Sequence, residues 1–510
     1  MDGSIGKKVF HGTLVIVLVG ILAKFTAFIT EALLAAYLGT SYRSDAYYMV
    51  SSVQSVVYPM LSIGIWKVFL PAYKEQTALD NTEKAFALTN KALSFFTIIS
   101  TVTVALIILF TSPLVSVIAP GFTGETKALC IQLVRISAPM YLFIIASAVY
   151  ASVLQCHGRF FGSQIREIAS HIPTIVAAVF FYGRFGIKAM AYALVAGGAV
   201  RLLIELPFVN WGYHFKPDFK FRTKEFSTML KRLPSALISA GVAQLNALID
   251  KAMASTLPEG TISALNYGHR LVNVFSGLLS SAISTALYPQ MIELIALKKE
   301  DVLSRLVVKI INIFCVLMVP VTVACVLFRA ELVSAVFQRG AFNQASTAMT
   351  AGVFALYSLG IFFTASSSVV SNLFYGYGDT RTPMWISIAA VIINVTLNLI
   401  LIHLWGINGL TLATSVSSII VFFIRMKAAE KRVKLNNALM LTTALKVLTA
   451  ALVACFVPRL LFWFYSVNKY LVLIASAVIG VGIYLPLVKL LKITEMDDIL
   501  ALVKKKVNNR

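Results

Sequence analysis

Residues 39–71 read GTSYRSDAYYMVSSVQSVVYPMLSIGIWKVFLP. Most of this run is apolar enough to cross a membrane, yet Asp45 stands near its start and Lys67 near its end. The stretch returns in altered form. Pro71, in FLPAY, matches Pro289, in LYPQM, and Leu114-Val115-Ser116 matches Leu332-Val333-Ser334, both 218 residues on. Gly158, in QCHGRF, matches Gly378, in YGYGDT, and Gly186-Ile187 matches Gly406-Ile407, both 220 residues on. One half-molecule is duplicated, and a duplicated membrane bundle is the usual plan of a transporter.

Composition sets the class. Of 510 residues, 58% are hydrophobic and 13% charged, and the apolar residues come in blocks near twenty long rather than in alternation. Blocks of that length are membrane-spanning helices; a closed barrel would alternate. The first apolar run, about 9–38, is too long for a signal peptide and lacks a small-residue cleavage pattern, so it is read as a retained helix. The net charge of +22 would point to nucleic acid in a soluble protein. Here it is read as topology-setting loop charge, with no nucleic-acid partner. The five cysteines show neither ligand spacing nor a paired framework and read as packing residues.

The expected fold is an all-α polytopic membrane protein with fourteen spans. They fall at about 9–38, 44–71, 92–118, 129–155, 165–183, 187–209, 233–256, 262–289, 306–328, 348–375, 384–403, 407–426, 441–464 and 468–491. The expected domains are a six-helix lobe at 1–209, a cytoplasmic linker at 210–232 and a second six-helix lobe at 233–427. Two additional helices follow at 428–492, then a basic tail at 493–510. With both termini cytoplasmic, Lys and Arg favour the inner loops by more than three to one. The outer side keeps only Arg43, Lys127, Arg184, Lys188, Arg329, Arg339, Arg459 and Lys469, with Arg135 close to that surface. The linker is expected either to lie along the membrane, its Trp211, Tyr213, Phe215, Phe219 and Phe221 dipping into the headgroups, or to be a plain linker with interfacial aromatics.

Ionisable groups inside spans are costly and therefore informative. Lys24 and Glu31, seven apart, share a face of the first span. Asp45 and Lys67 lie in the second, Asp250 ends the seventh, and Asn266, Arg270 and Asn273 share a face of the eighth. These spans are equivalent pairs in the repeat, so their polar faces are expected to line one cavity. Lys24 and Arg270 are its cations, a pairing that calls for an anion such as a diphosphate. Glu31, Asp45, Lys67 and Asp250 are the expected gating or charge partners. Arg201 and Glu205, four apart, are expected to pair with each other. The Arg166-Glu167 run is read as structural. Pro59, Gly64 and Gly277 interrupt spans and would let them bend. No nucleophile elbow, zinc-protease helix or phosphate loop is present, and no cofactor is expected. With no ATPase domain, transport would draw on the membrane potential or a sodium or proton gradient.

SDAYYMV, LPAYKE, VLQCHGRF, QRGAF and, most specifically, FYGYGDTRTPMWISIAAVIINVTLNLILI resemble the MurJ/MviN family. These are bacterial lipid II flippases of the multidrug/oligosaccharidyl-lipid/polysaccharide exporter superfamily. The resemblance covers nearly the whole chain. It implies two six-helix lobes around a cationic cavity, alternating access, and a lipid-tail groove on the last two helices. It also implies an undecaprenyl-diphosphate-linked sugar–peptide as cargo, moved outward across the bacterial inner membrane, with membrane lipids and cell-wall synthesis proteins as partners. The family's first-span arginine corresponds to Lys24, its second-span aspartate to Asp45 and its eighth-span arginine to Arg270. Its second first-span arginine falls at Thr30 beside Glu31, its paired second-span arginines near Tyr58 and Pro59, and its eighth-span acid at Asn273. With fewer cavity charges, another lipid-linked polysaccharide or teichoic-type precursor stays open as cargo, as does an ion-coupled drug exporter.

Overall fold

The computed structural model describes residues 3–78, 81–209, 213–462 and 468–496. Among them there is no strand. The first stretch runs α1 (Gly3–Leu38), α2 (Tyr42–Ala78), α3 (Thr82–Leu109), α4 (Thr111–Ile118), α5 (Gly124–Ser137), α6 (Met140–Cys156), α7 (Phe160–Ala169) and α8 (Ile172–Val176). One π-helical turn, Ala177–Phe181, then leads to α9 (Tyr182–Phe185), α10 (Lys188–Leu203), α11 (Leu206–Val209), α12 (Lys224–Ala254) and α13 (Thr261–Ala296). After these come α14 (Glu300–Leu327), α15 (Arg329–Phe337), α16 (Gln344–Ser358), α17 (Ile361–Gly376), α18 (Arg381–Ala429), α19 (Asn437–Leu461) and α20 (Lys469–Leu490).

Nine helices among the described residues are long and apolar enough to span a bilayer, ten if the pair α5 and α6, bent by 44°, is one span. Large apolar side chains such as Leu445, Ile474 and Val478 face outward. In water such a surface would aggregate, whereas in a bilayer it meets a solvent of its own kind. The chain is a multi-pass membrane protein.

The repeat is visible in the backbone. Gly158 and Gly378 have φ of 70° and 73°, and Gly186 and Gly406 have 57° and 54°. Each matched pair takes the chain out of a helix at a positive φ that residues with a Cβ rarely adopt. Gly406 is non-helical and kinks α18 between its two halves.

The chain packs as two compact units, Met1–Ser263 with Arg339–Phe342, and Ala264–Gln338 with Asn343–Arg510. Packing and sequence repeat therefore divide the chain at different places, because α12 lies along α2. The core of the first unit joins α2, α3, α6 and α12 around Phe69, Tyr73, Phe96 and Phe226. Residues 213–223 cross it as an extended strap. For Tyr213 and Phe221 this corrects the expectation of aromatics dipping into the headgroups. Tyr213 is buried and donates to Asn90 Oδ1 at 2.7 Å, Phe221 stacks on Phe226, and only Phe215 and Phe219 stay exposed. Trp211 lies outside the described residues. The strap is pinned because Asp218 meets Lys91 at 2.9 Å and its amide donates to Ser94 Oγ at 3.0 Å. Burial pushes the Asp218 carboxyl up, but the Lys220 amide and Lys91 outweigh it and hold it below its ordinary pKa.

In the second unit α19 packs on α14, and α20 packs on α19. Ala450, Ala451 and Ala454 allow close approach, and the Tyr484 hydroxyl donates to the Val316 carbonyl at 2.7 Å.

Gly39, after α1, has φ of 58°, and a Cβ there would lie 2.5 Å from the Ala341 carbonyl oxygen. Gly39→Ala should destabilise the protein by about 2–4 kcal/mol, from backbone strain plus overpacking. Thermal unfolding in detergent reads this as a lower melting temperature. Gly20→Ala, whose Cβ meets nothing within 4 Å, should leave that temperature unchanged or slightly raised.

Candidate transport site

Gly260 precedes α13 and has no side chain with which to cap it. Asp45, from α2, supplies the missing carboxylate. Its Oδ2 accepts the Gly260 amide at 2.7 Å, and its Oδ1 accepts the amide and the hydroxyl of Ser263, both at 2.8 Å. The free amides of a helix start carry partial positive charge, so an anion held there is stabilised as well as hydrogen-bonded. Asp45 is only 4% exposed, and Ser44 Oγ lies 3.0 Å from Ser263 Oγ. Ser263 is the residue 218 beyond Asp45, the offset of the repeat. Equivalent positions of the two repeats therefore bind each other.

Two backbone approaches flank this junction with the same symmetry. Gly121 sits on Ser255, whose Oγ accepts its amide at 3.0 Å, and Gly340 sits on Ala36, whose carbonyl accepts the Ala341 amide at 2.7 Å. A Cβ at either glycine would collide with the facing carbonyl. Each pair joins a loop of one repeat to the end of the first helix of the other, and all of these contacts lie within the first unit.

The other residues singled out in the sequence fall as follows. Lys24 is exposed on α1 and Glu31 buried below it; Lys67 is exposed on α2 and Asp250 buried near the end of α12. On α13, Asn266 is half-buried while Arg270 and Asn273 are exposed. Lys24, Glu31, Asp45, Lys67 and Asp250 belong to the first unit; Asn266, Arg270 and Asn273 belong to the second. Asn273 Nδ2 lies 3.2 Å from His269 Nδ1, and both residues line a cavity of about 250 Å³ with Thr364, Ser368, Ser415 and Ser418. Those hydroxyls were not singled out, although Thr364 and Ser368 are four apart on one helix face.

A second polar group corrects a pairing. Arg201 bonds Glu167 rather than Glu205, and also donates to the Tyr58 hydroxyl while its guanidinium sits 4.7 Å from the Tyr58 ring centroid. Glu205 instead meets Arg166 at 3.5 Å and accepts from Ser147 Oγ at 2.6 Å. The chain bends between Arg201 and Glu205, where α10 ends at Leu203. The i, i+4 geometry is lost, and each residue turns to the Arg166-Glu167 run on α7. The structural reading of that run is consistent with this arrangement. Beyond the C-terminal end of α6, burial and the nearby Lys74 and Arg159 hold the His157 imidazole below its ordinary pKa, and its Nε2 lies 2.8 Å from the Tyr73 hydroxyl.

A duplicated all-helical bundle with polar faces on its repeat-equivalent helices defines a membrane transporter rather than an enzyme. Comparison with known proteins agrees. The protein called "Probable lipid II flippase MurJ" in Borreliella burgdorferi is 25% identical over 433 residues, covering 83% of this chain and 85% of that one. Its namesake in Thermotoga maritima is 26% identical over 488 residues, covering 94% and 96%. A solved structure titled "Lipid II flippase MurJ, inward closed conformation" shares the fold, with a TM-score of 0.81 at 21% identity over 94% of this chain and 98% of that one. The family profile described as "Lipid II flippase MurJ" matches residues 34–481, and this chain belongs to that family.

If Asp45 caps α13, Asp45→Ala should expose the Gly260 and Ser263 amides. A bond to a charged acceptor contributes about 1.5–3 kcal/mol, so hydrogen exchange there should accelerate roughly ten- to hundredfold. Unchanged exchange in a folded variant would contradict the cap.

Proposed function

We propose that this chain is a flippase that carries lipid II, an undecaprenyl-diphosphate-linked sugar–peptide, from the inner to the outer leaflet of the bacterial inner membrane by alternating access. The observation that carries this reading is the family match over residues 34–481. In this reading the chain has fourteen spans with both termini in the cytoplasm. The loop charges support that orientation, and the Gly406 break, which would divide α18 into two spans, supports the count.

The diphosphate docks on Lys24 and Arg270, with Asn266 and Asn273 as neutral polar neighbours. Glu31 and Asp250 are the acidic partners against which those cations trade contacts, and Lys67 lies further along α2 as an additional cation. Asp45 closes the outer end by holding the start of α13, and opening that end breaks its three hydrogen bonds. The membrane potential drives the cycle: a negative charge moving outward across an inside-negative membrane gains about 2.3 kcal/mol per 100 mV. No cofactor enters the scheme.

The test is rescue of cells depleted of their own lipid II flippase. Wild type should restore growth, and Lys24→Ala and Arg270→Ala should fail at normal expression, since each loses a charge-assisted contact of about 1.5–3 kcal/mol. Rescue by both variants would refute the docking residues while leaving the cargo in place. Failure of a correctly inserted wild type would refute lipid II as the cargo.

A further inference from the structure

Cations are scarce on the side of the chain assigned to the outside, and that scarcity gives their positions meaning. Arg459 there is held by Glu331, and Lys469 donates to the carbonyl and hydroxyl of Ser334. Arg43, Arg135 and Lys188 are used differently. They come from the start of α2, the end of α5 and the start of α10, and all three line one pocket of about 870 Å³ in the first unit. Glu125 is the only acid in its wall. None of the three cations is in an ion pair among the described residues, and all are exposed. Arg43 is oriented by its own neighbour, its Nε donating to the Tyr42 hydroxyl at 3.1 Å.

A second cavity of about 570 Å³ adjoins this pocket and shares Phe185, Lys188 and Tyr192 with it. The second cavity is an apolar groove lined by Pro173, Val176, Ala177 and Phe181 on one side and Ala189, Ala193 and Ala196 on the other. Its first wall is the π-helical turn Ala177–Phe181. A π-turn widens a helix locally and recurs at functional sites. Its second wall is small because α10 presents alanines. From Lys188 to Ala196 the groove follows α10 into the span for about 12 Å.

We propose that the pocket and groove together bind a single-chain lipid with a diphosphate head. The head sits on Arg43, Arg135 and Lys188, and the chain lies along α10. Three cations and one acid leave two net positive charges, which match a diphosphate better than the single charge of an ordinary phosphodiester lipid. One groove accepts one chain, whereas a membrane phospholipid carries two. The proposal rests on the flippase reading and deepens it. This is a separate resting place, on the outer side of the first unit, for the lipid carrier after it leaves the Lys24 and Arg270 site.

The test uses the full-length protein in nanodiscs of neutral lipid, with a photoreactive undecaprenyl diphosphate as probe. Labelling is expected in the peptide covering residues 173–196. Unlabelled undecaprenyl diphosphate should compete, and phosphatidylglycerol should not. Arg43→Ala/Arg135→Ala/Lys188→Ala should lose labelling at least about tenfold, and Arg43→Lys/Arg135→Lys/Lys188→Arg should keep it. Equal labelling in the alanine variant would overturn the proposal. Equal competition by phosphatidylglycerol would also overturn it, in favour of a general lipid surface. A wild type that fails to rescue depleted cells but labels normally at 173–196 would sink the transport reading and leave this site standing.

Discussion

A carboxylate on one repeat holding the helix start of the other is the contact on which the rest of this architecture turns. The residue before α13 is glycine, so the helix cannot cap itself from its own Ncap side chain. Asp45 does so from α2 and is buried in doing so. A buried carboxylate is tolerable only where donors surround it. Two amides and a hydroxyl meet that requirement, with the α13 dipole adding to them. The junction is therefore strong when formed and specific in register, because a shift of one residue along α13 would misplace both amides. The flanking glycine contacts extend it into a pseudo-symmetric closure of small, backbone-to-backbone surfaces. Such surfaces can separate without exposing large apolar area.

The interior of the first unit works by the opposite logic. Arg166, Glu167, Arg201 and Glu205 balance to zero and tie α7, α10 and the turn after it into one block, reaching α2 through Tyr58. Breaking the buried Arg166–Glu205 pair leaves an uncompensated charge and costs about 3–5 kcal/mol. Alternating access needs a stiff body moving against a releasable contact. In the cycle proposed above, the ionic block is the stiff part and the Asp45 junction, at the end of its helix, is the contact that releases.

Much of this was legible in the sequence because membrane helices announce themselves by length and polarity. The positions of the helices, the duplication and the matched glycines all follow from residue type and spacing. Asp45 could be singled out because a carboxylate inside a span needs a reason. Its partners could not be read, since backbone amides leave no signature in residue identity. The Arg201 pairing was misread because i, i+4 spacing presumes an unbroken helix, and α10 ends between the two residues. The linker aromatics suited a membrane surface equally well by composition. What placed Tyr213 in the core was Asn90, more than a hundred residues away. The hydroxyl-lined cavity on α13 and the cationic pocket at Arg43 are assembled from several helices, so no local window contains them.

The most direct test of the central claim is to lock the junction. Ser44→Cys/Ser263→Cys replaces two hydroxyls whose oxygens are 3.0 Å apart with a pair that can be oxidised and reduced in proteoliposomes. Lipid II translocation is measured in both states under an imposed potential. Oxidation should stop translocation and reduction should restore it, because the end closed by Asp45 must open in each cycle. Undiminished transport by the oxidised protein would contradict the account.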